Sequence, residues 1–367
     1  MVLWMECAQM SDWGEVWEPF LNPDPNPSRR ATRPIYETEL GRMLQGDSLK
    51  VLKSAKFDEL RGQVQLAFTS PPFPLNQKKK YGNLNGRAYL KWFTSFAPVL
   101  RDLVKPDGSI VIEIGNAWVP GSPTMSTLVI EALLAFLKKG GLHLCQEFVW
   151  YNPARLPSPV QWVNIERIRV KDAFTRIWWM SPTERPKADN RRVLKEYSAS
   201  MKKLILTGKY NAGIRPSEHH IGAESFKTDN AGAIPPNVIG GDDAPSIGSL
   251  LKGSNTHSGD QYQLFCRERD LPLHPARMPQ ELAQFFIKFL TEEGDLVLDP
   301  FGGSNTTGAV AESLRRRWIT CEADWGYAST SITRFSPDAI VRTCEDIRIE
   351  PVEVKAGPQR ESVTLFS

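Results

Sequence analysis

Between Leu296 and Glu322 the chain reads as a strand, a glycine-rich turn, a helix, a second strand and an acid, and this series limits the folds open to it. Leu296-Val297-Leu298 is a short apolar run of strand character. Asp299-Pro300-Phe301-Gly302-Gly303-Ser304-Asn305-Thr306-Thr307-Gly308 is a turn that opens a helix through about Arg316, and Trp318-Ile319-Thr320-Cys321 is the next strand, with Glu322 at its end. A crossover helix returns the chain to the same end of the sheet, so the two strands run parallel. Parallel sheets are covered on both faces, which predicts an α/β fold. At 367 residues the chain has room for one large domain and a smaller second one.

A βαβ unit of this kind holds a nucleoside-like ligand. Glycines admit the ligand close to the backbone, the helix N-terminus offers N–H groups, and an acid about 20 residues on accepts ribose hydroxyls. Gly303 and Gly308 have the spacing of a phosphate-binding loop, but Ala309 stands where that loop needs lysine. The Gly-x-Gly-x-x-Gly spacing of dinucleotide sites is also absent. Asp299 would repel a pyrophosphate and attract an amino group, so electrostatics favour S-adenosylmethionine.

A second stretch bears on the same edge of the sheet. Val64-Gln65-Leu66-Ala67-Phe68 reads as a buried strand, and Thr69-Ser70-Pro71-Pro72-Phe73 ends it, because two prolines cannot continue a hydrogen-bonded ladder. The arc presents a hydroxyl, carbonyls without local partners and an aromatic face. A flat ring with an exocyclic amine would suit it; an ordinary strand-ending turn is equally open on these five residues alone. Ser109–Gly115 is a strand with one acid, Glu113, in an apolar run, a costly placement unless paired or functional. Asp47 and Ser48 sit at another strand-to-helix turn, where they either cap the helix or meet a ligand. A single helix is expected from Tyr89 to Val104.

The formal net charge is only +3, so a nucleic-acid surface must come from local clustering. Lys78, Lys79 and Lys80 form one cluster, either a solvated face or a flap over a polyanion. Residues 151–205 hold twelve basic against five acidic side chains, interleaved with aromatics, although Trp178 and Trp179 read as core. Residues 206–272 are rich in Gly, Ser, Asn, Asp and Pro and read as ordered recognition loops. The five cysteines are scattered and form no Cys-x-x-Cys pair, which argues against a disulfide framework or a metal site and fits a reducing cytoplasm. No apolar run is long enough to span a bilayer, and Glu6, Asp12 and Glu15 stand where a signal peptide needs basic residues.

Taken together, the Thr69–Phe73 and Asp299–Thr307 stretches resemble the catalytic and cofactor motifs of bacterial DNA amino-methyltransferases. Their order, catalytic motif first, resembles the permuted beta group, and most closely its cytosine-N4 enzymes from restriction–modification systems. The likeness covers roughly residues 36–335 and extends to Asn152–Pro159, Arg215-Pro216-Ser217, Ile234-Pro235-Pro236-Asn237 and His274-Pro275-Ala276-Arg277-Met278-Pro279. It implies a Rossmann-like, S-adenosylmethionine-dependent methyltransferase sheet with an inserted target-recognition region. The expected division is an extension (1–34), a catalytic half (35–184), a target-recognition region (185–272), a cofactor half (273–345) and a tail (346–367).

The resemblance also implies roles. Ser70 and the carbonyl of Pro71, stiffened by Pro72, would hold a cytosine amine, with Phe73 stacked on the flipped base. Glu113 stands where enzymes of this type have an aspartate proposed to assist the serine. Asp299, Phe301, Gly302, Gly303, Ser304 and Thr306 would line the cofactor, Glu322 its ribose, and Asp47 with Ser48 its adenine; His274 is a further cofactor-side candidate. Lys78, Lys79, Lys80, Arg155, Arg215, Ser217 and Asn230 would meet double-stranded DNA. The implied target is CAGCTG, with a restriction endonuclease as functional counterpart. Cytosine-C5 chemistry is excluded by the lack of a Pro-Cys nucleophile. Adenine-N6 enzymes usually carry Asp at the Ser70 position and are the runner-up. A non-catalytic binder on the same fold is the alternative from another class.

Overall fold

Every residue of Val64–Thr69 is buried, including Gln65 and Thr69, so this strand has cover on both faces. The structure is a computed structural model that describes residues 17–21, 34–74, 84–209, 213–214, 216–218, 220–222, 226–240, 261–271, 273–344 and 347–351. Its main sheet has ten strands: β1 (Pro34–Thr38), β2 (Gly41–Gln45), β3 (Val64–Thr69), β4 (Val104–Gly115), β5 (His143–Tyr151), β6 (Phe174–Ser181), β7 (Val238–Ile239), β8 (Leu296–Asp299), β9 (Arg317–Glu322) and β10 (Ile340–Thr343). Across the sheet they run β7-β5-β6-β4-β3-β8-β9-β2-β1-β10. The five central strands β4-β3-β8-β9-β2 are mutually parallel, and β6 and β1 flank them antiparallel.

Two cores follow from the two-residue period of the strands. On one face α2 (Gly86–Thr94), α3 (Phe96–Leu103) and α4 (Leu128–Gly140) place Phe93, Leu100 and Phe136 against Ala67, Ile110, Ile112 and Leu298. On the other, α5 (Gln280–Leu290) places Phe285 and Phe286 in a cluster with Leu66, Phe68, Val111 and Val297. Trp178 and Trp179 divide between the two cores as neighbours on a strand must. Each fully buried Leu, Ile or Phe stabilises by about 1.5–3 kcal/mol.

Three expectations are corrected. The helix expected from Tyr89 to Val104 breaks at Ser95 into α2 and α3, because Pro98 has no N–H to give to the preceding turn. Residues Ile347–Pro351, expected to be peripheral, pair antiparallel with Trp17–Leu21. The recognition loops carry regular structure as well: β7 pairs parallel with β5, and Gln261–Glu268 is a helix.

The chain runs outward from β3 to β4 and, in the opposite direction, from β8 to β9. The switch in direction therefore falls between β3 and β8, and ligands of open α/β sheets bind beyond the carboxyl ends at such a point. One buried carboxylate ties the two ends together. Asp299, 2% exposed, accepts Thr69 Oγ1 at 2.6 Å and Phe301 N at 3.0 Å on Oδ1, and Thr307 Oγ1 at 2.6 Å on Oδ2. Burial holds its carboxyl above the usual aspartate range, and the Thr307, Thr69 and Phe301 donors oppose that rise. Replacing Thr69 by the similarly shaped valine leaves this buried carboxylate one donor short, at an expected cost of about 1–3 kcal/mol where the carboxylate is ionised. The lost bond favours the charged form, so its contribution is present above the Asp299 pKa and vanishes as pH falls through it. Denaturant titrations of Thr69→Val and wild type at neutral and acid pH should show the gap closing on acidification; a pH-independent gap would contradict this role for Asp299.

Candidate active site

Past Thr69 the two prolines carry the chain out of the sheet, and Ser70 and Phe73 come to stand between two cavities. Phe73 lies against the end of β4: a Cβ on Gly115 would come within 2.6 Å of its ring, so only a glycine there leaves the ring in place. The larger cavity, about 590 Å³, lies over the carboxyl ends of β3, β8 and β9; the smaller, about 360 Å³, lies toward β4 and β6. Ser70, Phe73, Ala276 and Met278 line both.

The glycine turn forms the floor of the larger cavity. Gly302 N donates to the Cys321 carbonyl at 2.7 Å. Gly303 has φ +53°, and a Cβ there would meet His274 Cε1 at 3.0 Å. Asn305, also left-handed, caps α6 (Thr306–Ser313) through the Gly308 N–H. Glu322 closes one side, accepting Gly303 N on Oε2 and Asp324 N on Oε1, both at 2.9 Å. An ionised carboxylate has about four acceptor positions, so Glu322 retains capacity for ligand hydroxyls. Burial pushes its pKa up against those N–H donors. The Phe301 ring packs on Trp92 and Phe96 at centroid distances of 5.6 and 5.1 Å, and the three form an aromatic wall. His274 donates Nδ1–H to the Ala276 carbonyl at 2.6 Å and stands edge-on to Tyr327. Burial pushes its pKa down to about 4, so the ring is neutral at neutral pH.

Several expected cofactor residues line this cavity while their polar groups serve the protein. Ser48 Oγ donates to the Pro300 carbonyl, and Asp47 caps α1 (Ser48–Leu52) through the Lys50 N–H at 3.1 Å. Ser304 Oγ accepts from Arg334 Nη2 at 3.0 Å. Thr306 is buried at the first turn of α6.

The smaller cavity contains the lone acid of β4. Glu113, 7% exposed, accepts Thr175 Oγ1 at 2.9 Å. Burial raises its pKa; hydrogen bonds from Thr175 and Ser70 and the charge of Arg155 oppose the rise. Arg155, a candidate DNA contact, stands in the cavity wall, its Nη1 donating to the Phe174 carbonyl at 3.0 Å. Ser217 and Asn230 are exposed, outside both cavities. Lys78, Lys79, Lys80 and Arg215 lie outside the described residues.

Thr69, Thr307, Gly115, Met278 and Asn152 lie within stretches that the sequence singles out but had no role assigned there, and Trp92, Phe96 and Thr175 were missed. Of the missed residues, Trp92 and Phe96 carried a signal in their four-residue spacing within the single helix expected there, although the structure places them on successive helices. Among the described residues no group of three or more His, Cys, Asp or Glu side chains could hold a metal ion, and no helix is long and apolar enough to cross a membrane.

Comparison with known proteins agrees with this geometry. The family model described as DNA methylase matches residues 64–333. Type II methyltransferase M.PvuII of Proteus hauseri is 46% identical over 305 residues, spanning 83% of this chain and 86% of that protein. Type II methyltransferase M.BglII of Bacillus subtilis is 24% identical over 288 residues, 78% of this chain and 67% of that protein. The solved structure of PvuII DNA methyltransferase (cytosine-N4-specific) superposes with a TM-score of 0.64 at 39% identity, covering 84% of this chain and 91% of that one. With its catalytic and cofactor motifs brought to one switch point and most of its length matched in this way, the chain belongs to the DNA methylase family.

Proposed function

We propose that this chain transfers a methyl group from S-adenosylmethionine to the exocyclic N4 of a cytosine swung out of double-stranded DNA. The observation that carries the reading is the junction of two cavities at Ser70 and Phe73, one suited to a cofactor and one to a flat base. The larger has the volume of a small-molecule site, an aromatic wall, a buried acid beside a glycine turn, and no lysine or arginine among its described lining residues. A pyrophosphate would find no counter-charge there, whereas a ribose would find Glu322.

Bound S-adenosylmethionine supplies an electrophilic methyl group; the remaining work falls to the chain. Ser70 Oγ and the Pro71 carbonyl accept the two amine hydrogens and turn the nitrogen lone pair out of the base plane. Phe73 stacks on the ring. As N4 takes the methyl group, the methyl–sulfur bond of the donor would break to leave a neutral thioether, and N4 would give a proton to Ser70 Oγ, which would pass its own to Glu113, a carboxyl group held by Thr175 beside Arg155. Holding two reactants in line supplies much of the rate.

DNA would lie across the open side of the smaller cavity. The target-recognition region 185–272, with Ser217, Asn230 and Arg215, would read the site, and Lys78, Lys79 and Lys80 would meet phosphates. The biological role is protection of bacterial DNA in the cytoplasm from an endonuclease of the same specificity. Expression in a methylation-free host followed by base-modification sequencing should report N4-methylcytosine, with CAGCTG as the first site to inspect. N6-methyladenine would establish the runner-up chemistry, and unmodified DNA would point to a non-catalytic binder.

Three further outcomes are expected. Ser70→Ala should lower kcat by about 10²–10⁴-fold with cofactor affinity unchanged; near-normal turnover would move the catalytic motif elsewhere. Glu113 must be ionised to accept the proton, so kcat should fall as pH drops through its raised pKa, above the ordinary carboxylate range. Glu113→Gln should lower the plateau and abolish that acid limb, and a limb that survives the substitution would exclude Glu113. Gly115→Ala forces the Phe73 ring aside and should reduce kcat by about 10–100-fold without weakening cofactor binding. Equal loss in both measurements would mean a general disruption of the site.

A further inference from the structure

The connection between β5 and β6 spans residues 152–173 and is too long for a simple hairpin turn. It begins and ends at the smaller cavity, which Asn152, Arg155 and Phe174 line. Internal bonds fix its path. Asn152 N donates to the Ala173 carbonyl at 2.8 Å, Val163 N to Pro159 at 3.0 Å and Ile168 N to Trp162 at 2.9 Å. Lys171 Nζ reaches back to the Pro153 carbonyl at 2.6 Å and the Arg155 carbonyl at 3.3 Å, and Arg169 pairs with Asp172 at 3.3 Å.

A loop this well fixed would be expected to bury its apolar side chains, but it exposes them. Leu156 is 81% exposed, Val170 86%, Ile165 65% and Ile168 60%. Arg155, Arg167, Arg169 and Lys171 against Glu166 and Asp172 make the same loop net positive. Its partner is therefore polyanionic outside and apolar within, which describes a nucleic-acid duplex opened at one base pair.

We infer that this loop is a wedge, and that Leu156 enters the base stack in place of the extruded cytosine. Leu156 follows Arg155, whose guanidinium is pinned in the cavity wall, and precedes Pro157, which restricts its backbone to extended conformations. Its side chain is thus rigidly mounted one residue from the pocket that receives the base. Extruding a base forfeits its stacking, and an apolar side chain filling the gap restores part of it and keeps the base from returning. This role rests on the base-flipping reading above.

The test is single-turnover methyl transfer by the full chain on two duplexes carrying the modified site found by sequencing. In one the target cytosine is paired; in the other it faces an abasic position and is already loosened. Leu156→Ala should slow transfer about 10–100-fold on the paired duplex and less than about 3-fold on the loosened one. Leu156→Met, which restores apolar bulk, should recover most of the rate on paired DNA. Equal loss on both duplexes, or no loss on either, would overturn the wedge while leaving the methyltransferase reading intact. So would a change in sedimentation without a duplex-dependent defect, since the apolar tip would then join copies of the chain. Absence of cytosine methylation by the wild type on both duplexes would overturn the base-flipping reading and the wedge with it.

Discussion

The site depends on one buried carboxylate. Asp299 ends β8, but its oxygens hold Thr69 at the end of β3 and Thr307 in α6, as well as the Phe301 N–H of its own turn. Ser70 follows Thr69 directly, and Phe301 leads the glycine turn. On two strands already paired, the arc that would hold a base and the turn that would hold a methyl donor are therefore tied together through hydrogen bonds to a single side chain. Transfer between two bound partners is sensitive to misplacement of about 1 Å, which gives a short, directional hydrogen-bonded bracket an advantage over apolar contact. A buried carboxylate without donors would be costly, and here three donors offset that cost.

The same economy of charge runs through both cavities. Three of the acids that line them, Asp299, Glu322 and Glu113, are pushed upward by burial, and each is opposed by neutral hydroxyl or backbone donors. Only Glu113 has a cation among those opposing influences, Arg155. On the cofactor side no lysine or arginine is among the described lining residues, which preserves an acid surface for hydroxyls and an amino group. On the base side one cation beside one acid works against the rise that burial imposes on a proton acceptor in an enclosed space.

The switch point was legible because its parts are local in sequence: an apolar strand, a proline arc, a glycine turn and an acid at the right interval. The two tryptophans of β6 were legible as core from their place in an apolar run. What could not be read were contacts set by register and packing. Thr69 and Thr307 lie 230 and 8 residues from Asp299, and only the pairing of β3 with β8 brings Thr69 within reach. Gly115 looks like any strand-ending glycine until Phe73 is found against it. Composition counts the charge of Arg155 but cannot place it, and the bond to the Phe174 carbonyl sets it in the wall of the smaller cavity. The pairing of residues 17–21 with 347–351 was hidden for the same reason, since neither segment has a partner nearby in sequence.

The combination of Ser70 with Glu113 also acquires a physical reason. An acid at position 70 beside Glu113 would place two carboxylates in one enclosed cavity, and like charges at such distances cannot both ionise. Serine leaves a single charge in the pair and supplies a hydroxyl that can accept from a base and donate to the acid at once. The glutamate arm, one methylene longer than aspartate, hydrogen-bonds both Ser70 and Thr175 across the gap between β4 and β6. Thr175 fixes one of its oxygens, so the extra length does not leave the carboxylate free to swing. Length gained on β4 is thus taken up by an anchor on β6, and the proposed proton path from Ser70 ends on a carboxyl group that is buried and held in place.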